Sequence, residues 1–305
     1  MRVLLVGQAA FAEKVLEGLA AAGHAIAAVV CPPDRGDKLD PAKAAALARN
    51  LPVHQFATLK GPDASAAFAQ ANADLALLAY VTQIVPAALL GVPRAGTLCF
   101  HPSLLPRYRG GSAIPWQLIK GERRTGVTVF WTDAGIDTGP ILLQRGATIG
   151  PDDTAGSLYY QTLFPLGVAA CVDAVGLVQQ GDPPRIVQDE TQATYDPLLG
   201  DQHAAIDWTQ PAAVLHDLVR GCDPSPGAYT TWQGRRLRLF EPRRATDVAH
   251  GGTPGAVQAI DAEGLVVAAR DGVVRCRRLR AEGAKAAATE VAAAIGLTVG
   301  ARLGA

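Results

Sequence analysis

Residues 2–31 read RVLLVGQAAFAEKVLEGLAAAGHAIAAVVC, and this stretch decides the fold class. Arg2–Val6 is a short apolar run closed by Gly7. Phe11, Val15, Leu16 and Leu19 then recur at helical spacing within Phe11–Ala22, and Gly23-His24 ends that helix. Ala25–Cys31 is a second apolar, valine-rich run. An apolar strand, an amphipathic helix and another apolar strand make a βαβ unit, with parallel strands buried on both faces.

The alternation continues outward from this unit. Helices are expected at Pro41–Arg49, Asp63–Ala71 and Ile84–Leu90, and strands at Pro52–Gln55, Leu75–Ala79 and Gly96–Phe100. Ligands of such sheets bind beyond the carboxyl ends of the strands, so the segments after Ala79 and Phe100 are the places to look. A Pro- and Gly-rich loop, His101–Ser112, follows the second of these. Next come a helix at Ile114–Lys120, strands Thr125–Trp131 and Ile141–Ala147 around a loop Thr132–Pro140, and a long helix Thr154–Gln180 kinked at Pro165. The stretch 181–203 has little periodicity and three prolines, and reads as a linker. From residue 204 the pattern changes to one helix, Ala212–Val219, and short strands at Ala228–Trp232, Arg236–Phe240, Ala256–Ile260, Gly264–Ala269 and Val273–Leu279. Short strands separated by glycine turns suggest a small barrel or sandwich. The expected organisation is therefore a catalytic domain over 1–180, a linker over 181–203 and a smaller β domain over 204–305.

The composition narrows the function classes. Of 305 residues, 49% are hydrophobic and 18% charged, which is globular and excludes a disordered or collagen-like chain. The 28 Lys+Arg balance the 28 Asp+Glu, which argues against broad non-specific nucleic-acid binding. The second domain is mildly basic, and Arg275, Arg277, Arg278 and Arg280 form a possible phosphate or RNA patch, although a solvated strand edge is the simpler reading. No apolar run reads as a membrane span, and Glu13 and Lys14 interrupt the N-terminal apolar stretch too early for a signal peptide. The five cysteines are scattered, with no CxxC pair, so free thiols in a reducing cytoplasm are expected and a zinc ribbon is not. Gly7-Gln8-Ala9-Ala10-Phe11 lacks the G-x-G-x-x-G spacing of a dinucleotide site.

Two loops carry the candidate chemistry. His101 closes a buried strand and opens HPSLLPRYRG (His101–Gly110), where prolines stiffen and glycine permits close approach. The other histidines (His24, His54, His203, His216, His250) lack such a context and read as structural. Asp137 lies in the second Gly/Pro loop, with Asp133 as a rival. A carboxylate beside an imidazole orients it and favours its charged form, and such a pair can move protons near neutral pH.

The runs HPSLLPRYRG, Val129-Phe130-Trp131 and GIDTGPILLQ (Gly135–Gln144) resemble the formyltransferases that use 10-formyltetrahydrofolate. The resemblance is above all to the hydrolase domain of 10-formyltetrahydrofolate dehydrogenase, and also to methionyl-tRNA formyltransferase. It extends to Thr82-Gln83-Ile84-Val85-Pro86, Leu163-Phe164-Pro165 and, in the second domain, Ile206-Asp207-Trp208 and Pro226-Gly227-Ala228. It implies an α/β fold: a Rossmann-like, mainly parallel sheet with a smaller, OB-like β-barrel domain at the C-terminal end. It also implies a catalytic trio of Asn, His and Asp. His101 and Asp137 match the last two, while Cys99 stands at the Asn position.

An Asn amide would donate to the oxyanion formed at the formyl carbon, and a thiol is a weaker donor. Cys99 thus departs from ordinary amine formylation and fits the hydrolase branch. It could be a nucleophile, a weak oxyanion donor or a packing residue. The resemblance further implies a folate cleft formed by Leu78, Ala79, Tyr80, Val81, Gln83 and Ile84, by Ser103, Leu104, Arg109 and Gly110, and by Asp133, Gly135, Ile136 and Gly139. The donor would be 10-formyltetrahydrofolate, with no metal. Water or a small amine would be the acceptor, with Met-tRNA as the alternative. The loop Pro33–Pro41 carries three aspartates against two cations and would be a poor clamp for tRNA. At 305 residues there is no room for an aldehyde dehydrogenase or carrier-protein domain, so a hydrolase-like module is expected to work alone. A folate-binding module without catalysis is the competing class.

Overall fold

The computed structural model describes residues 1–34, 36–245 and 251–304. Arg35, within the short acidic loop, and His250 lie outside the described residues. In chain order the elements are β1 (Arg2–Gly7), α1 (Ala9–Ala21), β2 (Ala25–Cys31), α2 (Pro41–Leu47), β3 (Val53–Gln55), α3 (Pro62–Ala71), β4 (Leu75–Ala79), α4 (Ala87–Leu90), β5 (Thr97–His101), α5 (Ala113–Ile119), β6 (Arg124–Trp131), β7 (Ile141–Thr148), α6 (Ala155–Ser157) and α7 (Phe164–Gln180). They continue with α8 (Ala212–Gly221), β8 (Ala228–Trp232), β9 (Arg235–Arg243), β10 (Val257–Asp261), β11 (Gly264–Ala268), β12 (Val273–Arg280), β13 (Ala286–Ala287) and α9 (Ala288–Ala294).

The chain divides into two compact units. The first comprises residues 1–111, 126–147 and 161–195, and the second comprises 112–125, 148–160 and 196–305. The first unit is built on a seven-stranded sheet in the order β3-β2-β1-β4-β5-β6-β7. β1 to β5 pair in parallel, and β6 runs antiparallel to β5. Strand order reverses between β1 and β4, which makes the carboxyl ends of β1, β4 and β5 the binding edge. The apolar runs of β1, β2 and β4 are buried almost throughout, with Leu4, Leu5, Leu75 and Leu77 fully enclosed. Each such side chain contributes about 1.5–3 kcal/mol of burial. α1 turns Phe11, Val15, Leu16 and Leu19 inward, as its spacing requires.

The second unit contains an antiparallel sheet in the order β10-β11-β12-β9-β8, with β13 added beside β12. Its end strands β10 and β8 share no ladder among the described residues, so the sheet is not closed by hydrogen bonds between them. Its core joins Trp208, Leu215 and Val219 to Leu237, Leu265 and Cys276.

Three local expectations change. The helix expected over Thr154–Gln180 is α6, a π-helical turn at Leu158–Leu163, and then α7. Pro165 follows directly on the π-helical turn, which widens the helical run to clear the ring and to accommodate the missing N–H. The helix expected from Ile84 begins only at Ala87, because Pro86 caps it in an extended conformation. Of the stretch expected as a linker, residues 181–195 belong to the first compact unit and carry a 3₁₀ turn at Glu190–Gln192. All five cysteines are free thiols. The helical run Ala155–Gln180 is long and apolar enough to cross a membrane by length and composition, but within it α7 buries Ala170, Cys171, Ala174 and Val175.

Candidate active site

β5 delivers His101 to the binding edge one strand away from β4, with Leu78 paired to Cys99. The histidine is buried, at 5% exposure. Its Nε2 lies 2.7 Å from the carbonyl oxygen of Tyr108. A carbonyl can only accept, so Nε2 carries the proton and Nδ1 is the nitrogen left for chemistry. Nδ1 faces Asp137 Oδ2 at 3.5 Å. The loop that returns Tyr108 to this place is tied internally: Ser103 Oγ donates to the Arg107 carbonyl at 2.7 Å, and Tyr108 itself adopts φ +60°.

Asp137 is delivered by the loop between β6 and β7. Its backbone is also left-handed, at φ +57°, a conformation that Asp tolerates better than most residues. Its Oδ2 accepts from the Gly110 N–H at 2.8 Å, joining the two loops directly. Asp133, the rival carboxylate, is exposed and spent on its own turn, accepting from Gly135 N at 3.0 Å and Thr138 Oγ1 at 2.6 Å. Gly139 is required sterically, because a Cβ there would lie 1.7 Å from the Trp131 carbonyl oxygen.

A buried arginine fastens this assembly. Arg109 is 2% exposed. It holds both carboxylate oxygens of Glu190, at 2.6 and 2.9 Å. It also donates twice to Gln188 Oε1, at 2.8 and 3.2 Å, and to the Tyr195 hydroxyl at 3.2 Å. The hydrogen bonds to Glu190 push the guanidinium's pKa up and, reciprocally, hold the Glu190 carboxyl below its ordinary range. Tyr108 N donates to Thr194 Oγ1 at 2.7 Å, and Arg109 N to the Thr194 carbonyl at 3.0 Å. Arg109, expected to touch folate, is thus saturated by protein groups.

Cys99 packs beside Leu105, Phe130 and Ile141. Burial, and next the charge of Asp137, push its thiol well above the ordinary range. The sulfur therefore stays protonated at neutral pH, with the Phe100 carbonyl 3.6 Å away. A nucleophilic role needs the thiolate and is opposed by these surroundings.

The expected folate residues do not all face one space. Tyr80, Val81 and Gln83 line a small cavity with Gly7, Gln8 and Phe56 at the ends of β1 and β3, and none of Asp133, Gly135, Ile136 and Gly139 lines it. Gln83 is a strut: its Oε1 accepts from Leu59 N at 3.2 Å. Leu78 and Ala79 are core residues of β4, and Ser103 is fully buried. Leu104 packs on Gly126, where an added Cβ would reach within 2.5 Å of its side chain. Tyr80, Ile84 and Ile136 are large apolar side chains left exposed at the edge, at 47%, 75% and 54%. The N-terminus of α1, where a dinucleotide fold holds its phosphates, is closed by Asp40, whose carboxylate accepts from Ala9 N at 2.9 Å.

Residues 1–175 match the formyl transferase family and residues 199–294 match the formyl transferase C-terminal domain. The chain belongs to the formyltransferase family. Methionyl-tRNA formyltransferase of Geobacter metallireducens is 38% identical over 311 positions, covering 100% of this chain and 99% of that protein. Mitochondrial 10-formyltetrahydrofolate dehydrogenase of Mus musculus is 39% identical over 271 residues, 87% of this chain but 29% of that protein, so the chain spans less than a third of the dehydrogenase. Among solved structures, HypX from Aquifex aeolicus in complex with tetrahydrofolic acid superposes with a TM-score of 0.70 at 22% identity, covering 96% of this chain and 47% of that one, and shares the fold.

Within this formyltransferase the structure brings together His101, Asp137, Cys99, Arg109 and Gly110 from the residues singled out in the sequence. Gln188, Glu190, Thr194 and Tyr195 join them unannounced. Their side chains reach across 51 to 86 positions of sequence, and no local periodicity marks them.

Proposed function

We propose that this chain removes the formyl group from 10-formyltetrahydrofolate and passes it to water or to a small-molecule amine. The supporting observation is the His101–Asp137 pair at the end of β5, with one imidazole nitrogen fixed by the Tyr108 carbonyl and the other turned to a single carboxylate. The nucleophile adds to the formyl carbon and gives its proton to Asp137. His101 Nδ1, when protonated, donates to the oxyanion as it forms. Collapse of the tetrahedral adduct breaks the bond to the folate nitrogen, which takes up a proton and leaves as tetrahydrofolate. Water yields formate and an amine yields a formamide. Cys99 supplies at most a weak S–H donor, which favours the hydrolytic outcome over efficient amine formylation. Free thiols throughout fit a cytoplasmic setting.

Met-tRNA is the second reading, favoured by the full-length similarity to a methionyl-tRNA formyltransferase. Against it, many arginines of the second unit are already engaged. Arg236 and Arg238 bind Asp201, Arg275 binds Asp261, and Arg278 donates to the Lys285 carbonyl. Formate and tetrahydrofolate release by purified protein, with no acceptor added, tests the proposal. Turnover that disappears in His101→Ala and Asp137→Ala is the expected result. Folate binding without release would leave a non-catalytic folate module or a specific acceptor, with Met-tRNA tried first and Cys99→Asn tested for gain of transfer.

A further inference from the structure

We infer that Gln188 is a positioning residue of the reaction, acting on Asp137 from a segment that contributes nothing to the chemistry itself. This rests on the role proposed for His101 and Asp137. The Gln188 carboxamide is buried, with the residue 5% exposed, and every hydrogen-bonding site it has is used. Its Nε2 donates to the Asp137 carbonyl at 2.9 Å and to the Gly139 carbonyl at 2.8 Å. Its Oε1 accepts from Arg109 Nε and Nη2. A primary amide offers two N–H donors and two lone pairs, so the complement is complete. The orientation is also unambiguous, because a flipped amide would set its NH₂ against the guanidinium and its oxygen against two carbonyls.

These bonds close a ring. His101 Nε2 holds the Tyr108 carbonyl, the next residue's side chain holds Gln188, Gln188 holds the carbonyls of Asp137 and Gly139, and Asp137 Oδ2 returns to Gly110 N and His101 Nδ1. Gln188 bonds the backbone of the Asp137 loop twice from outside both loops, and the Tyr195 hydroxyl adds one bond to the neighbouring Ile136 carbonyl at 3.2 Å. The Asp137 backbone is left-handed and needs an external hold to stay so. Glu at 188 would keep Arg109 but lose both donors to the carbonyls. Leu would lose the acceptor as well.

The reaction depends on the Asp137–His101 separation, and a displacement near 1 Å costs about 100-fold in such centres. The test compares Gln188→Glu and Gln188→Leu with wild type, alone and in an Asp137→Asn background. Gln188→Glu is expected to lower kcat about 100-fold with KM for 10-formyltetrahydrofolate within about threefold, and to displace the pH profile of kcat. In Asp137→Asn the same change should lower the residual rate less than twofold. Losses that multiply in the double variant, or an unchanged kcat in Gln188→Glu, overturn the inference. Imidazole ¹⁵N NMR, with the His101 signals assigned by His101→Gln, gives a readout independent of turnover. Gln188→Glu should shift the His101 titration while the melting temperature stays within a few degrees. Should the wild type turn over no formyl substrate, the proposed function fails, and the NMR shift still decides whether Gln188 sets the pair. An unmoved His101 titration rejects the positioning role in either case.

Discussion

Among the described residues two histidine–carboxylate groupings stand out, and they differ in what surrounds them. His101 stands where β5 stops, with one nitrogen on a carbonyl and the other facing Asp137 alone. His216 stands on the helix α8 within the second unit. Its Nε2 lies 3.1 Å from Asp152 Oδ1, its Nδ1 lies 3.6 Å from Asp217 Oδ1, and Arg220 Nε donates to that same Asp217 oxygen at 2.7 Å. In the second grouping a fully buried guanidinium shares the Asp217 carboxylate with the imidazole. In the first, the Arg109 guanidinium is bound to Glu190 and Gln188, and two left-handed turns hold the pair. A His–Asp pair whose geometry leaves a nitrogen at an open strand end is a candidate for catalysis, whereas one that shares its carboxylate with a buried guanidinium inside a packed unit reads as structural.

The largest effect that could break this contrast is on turnover. His101→Ala is expected to lower formyl release by about 10³-fold or more, while His216→Ala leaves kcat within about twofold and costs about 1–2 kcal/mol in urea unfolding. Equal kinetic losses would erase the distinction. Next in size is Gly139→Ala. A Cβ at that position meets a backbone oxygen that cannot withdraw, so a loss of about 2–3 kcal/mol is expected, accompanied by reduced kcat from the displaced Asp137 loop.

These contrasts also show what the sequence made legible. The alternation from β1 through β5 stands out because fully buried parallel strands read as unbroken apolar runs, and His101 and Asp137 stand out because Gly/Pro loops follow such strands. The stretch 181–203 did not. Pro183, Pro184 and Pro197 hide any period, and the work of Gln188 and Glu190 is done by side chains aimed at a distant loop. Arg109 is a related case: the resemblance places it in the folate cleft, while its bonds to Gln188 and Glu190 lie 79 and 81 positions away and leave no local signal. β13 and α9 escaped because six of the nine residues of Ala286–Ala294 are alanine, and Val291 alone makes too weak an apolar stripe to read.

Cys99 sharpens the comparison from the chemical side. With its thiol held protonated beside Asp137, Cys99→Ser should retain turnover within about tenfold. Iodoacetamide at pH 7.5, followed by mass spectrometry of the native protein, should leave Cys99 unmodified; rapid alkylation there would reinstate the nucleophile. The smallest effect concerns Asp217. Burial pushes its carboxyl up, but the hydrogen bond from His216 and the charge and hydrogen bond of Arg220 outweigh this and hold it below the ordinary carboxylate value. A carboxyl lowered in the folded state contributes stability above its unfolded value, about pH 4, and loses it as pH falls through the lower folded value. Urea midpoints measured from pH 6 down to pH 3 should therefore fall more steeply for the wild type than for Asp217→Asn.

The hydrogen bonds from Gln188 to Asp137 and Gly139 also bear on how the protein is made. Translation delivers His101 first and Asp137 soon after, yet the side chains that align them arrive only with residues 188–195. A nascent chain halted between 140 and 187 already holds His101 and Asp137 and still lacks the side chains that bond their loops. On the roles proposed for these residues, a chain tethered at that length would turn over its one-carbon donor about 100-fold more slowly, and full activity would await the segment beyond α7.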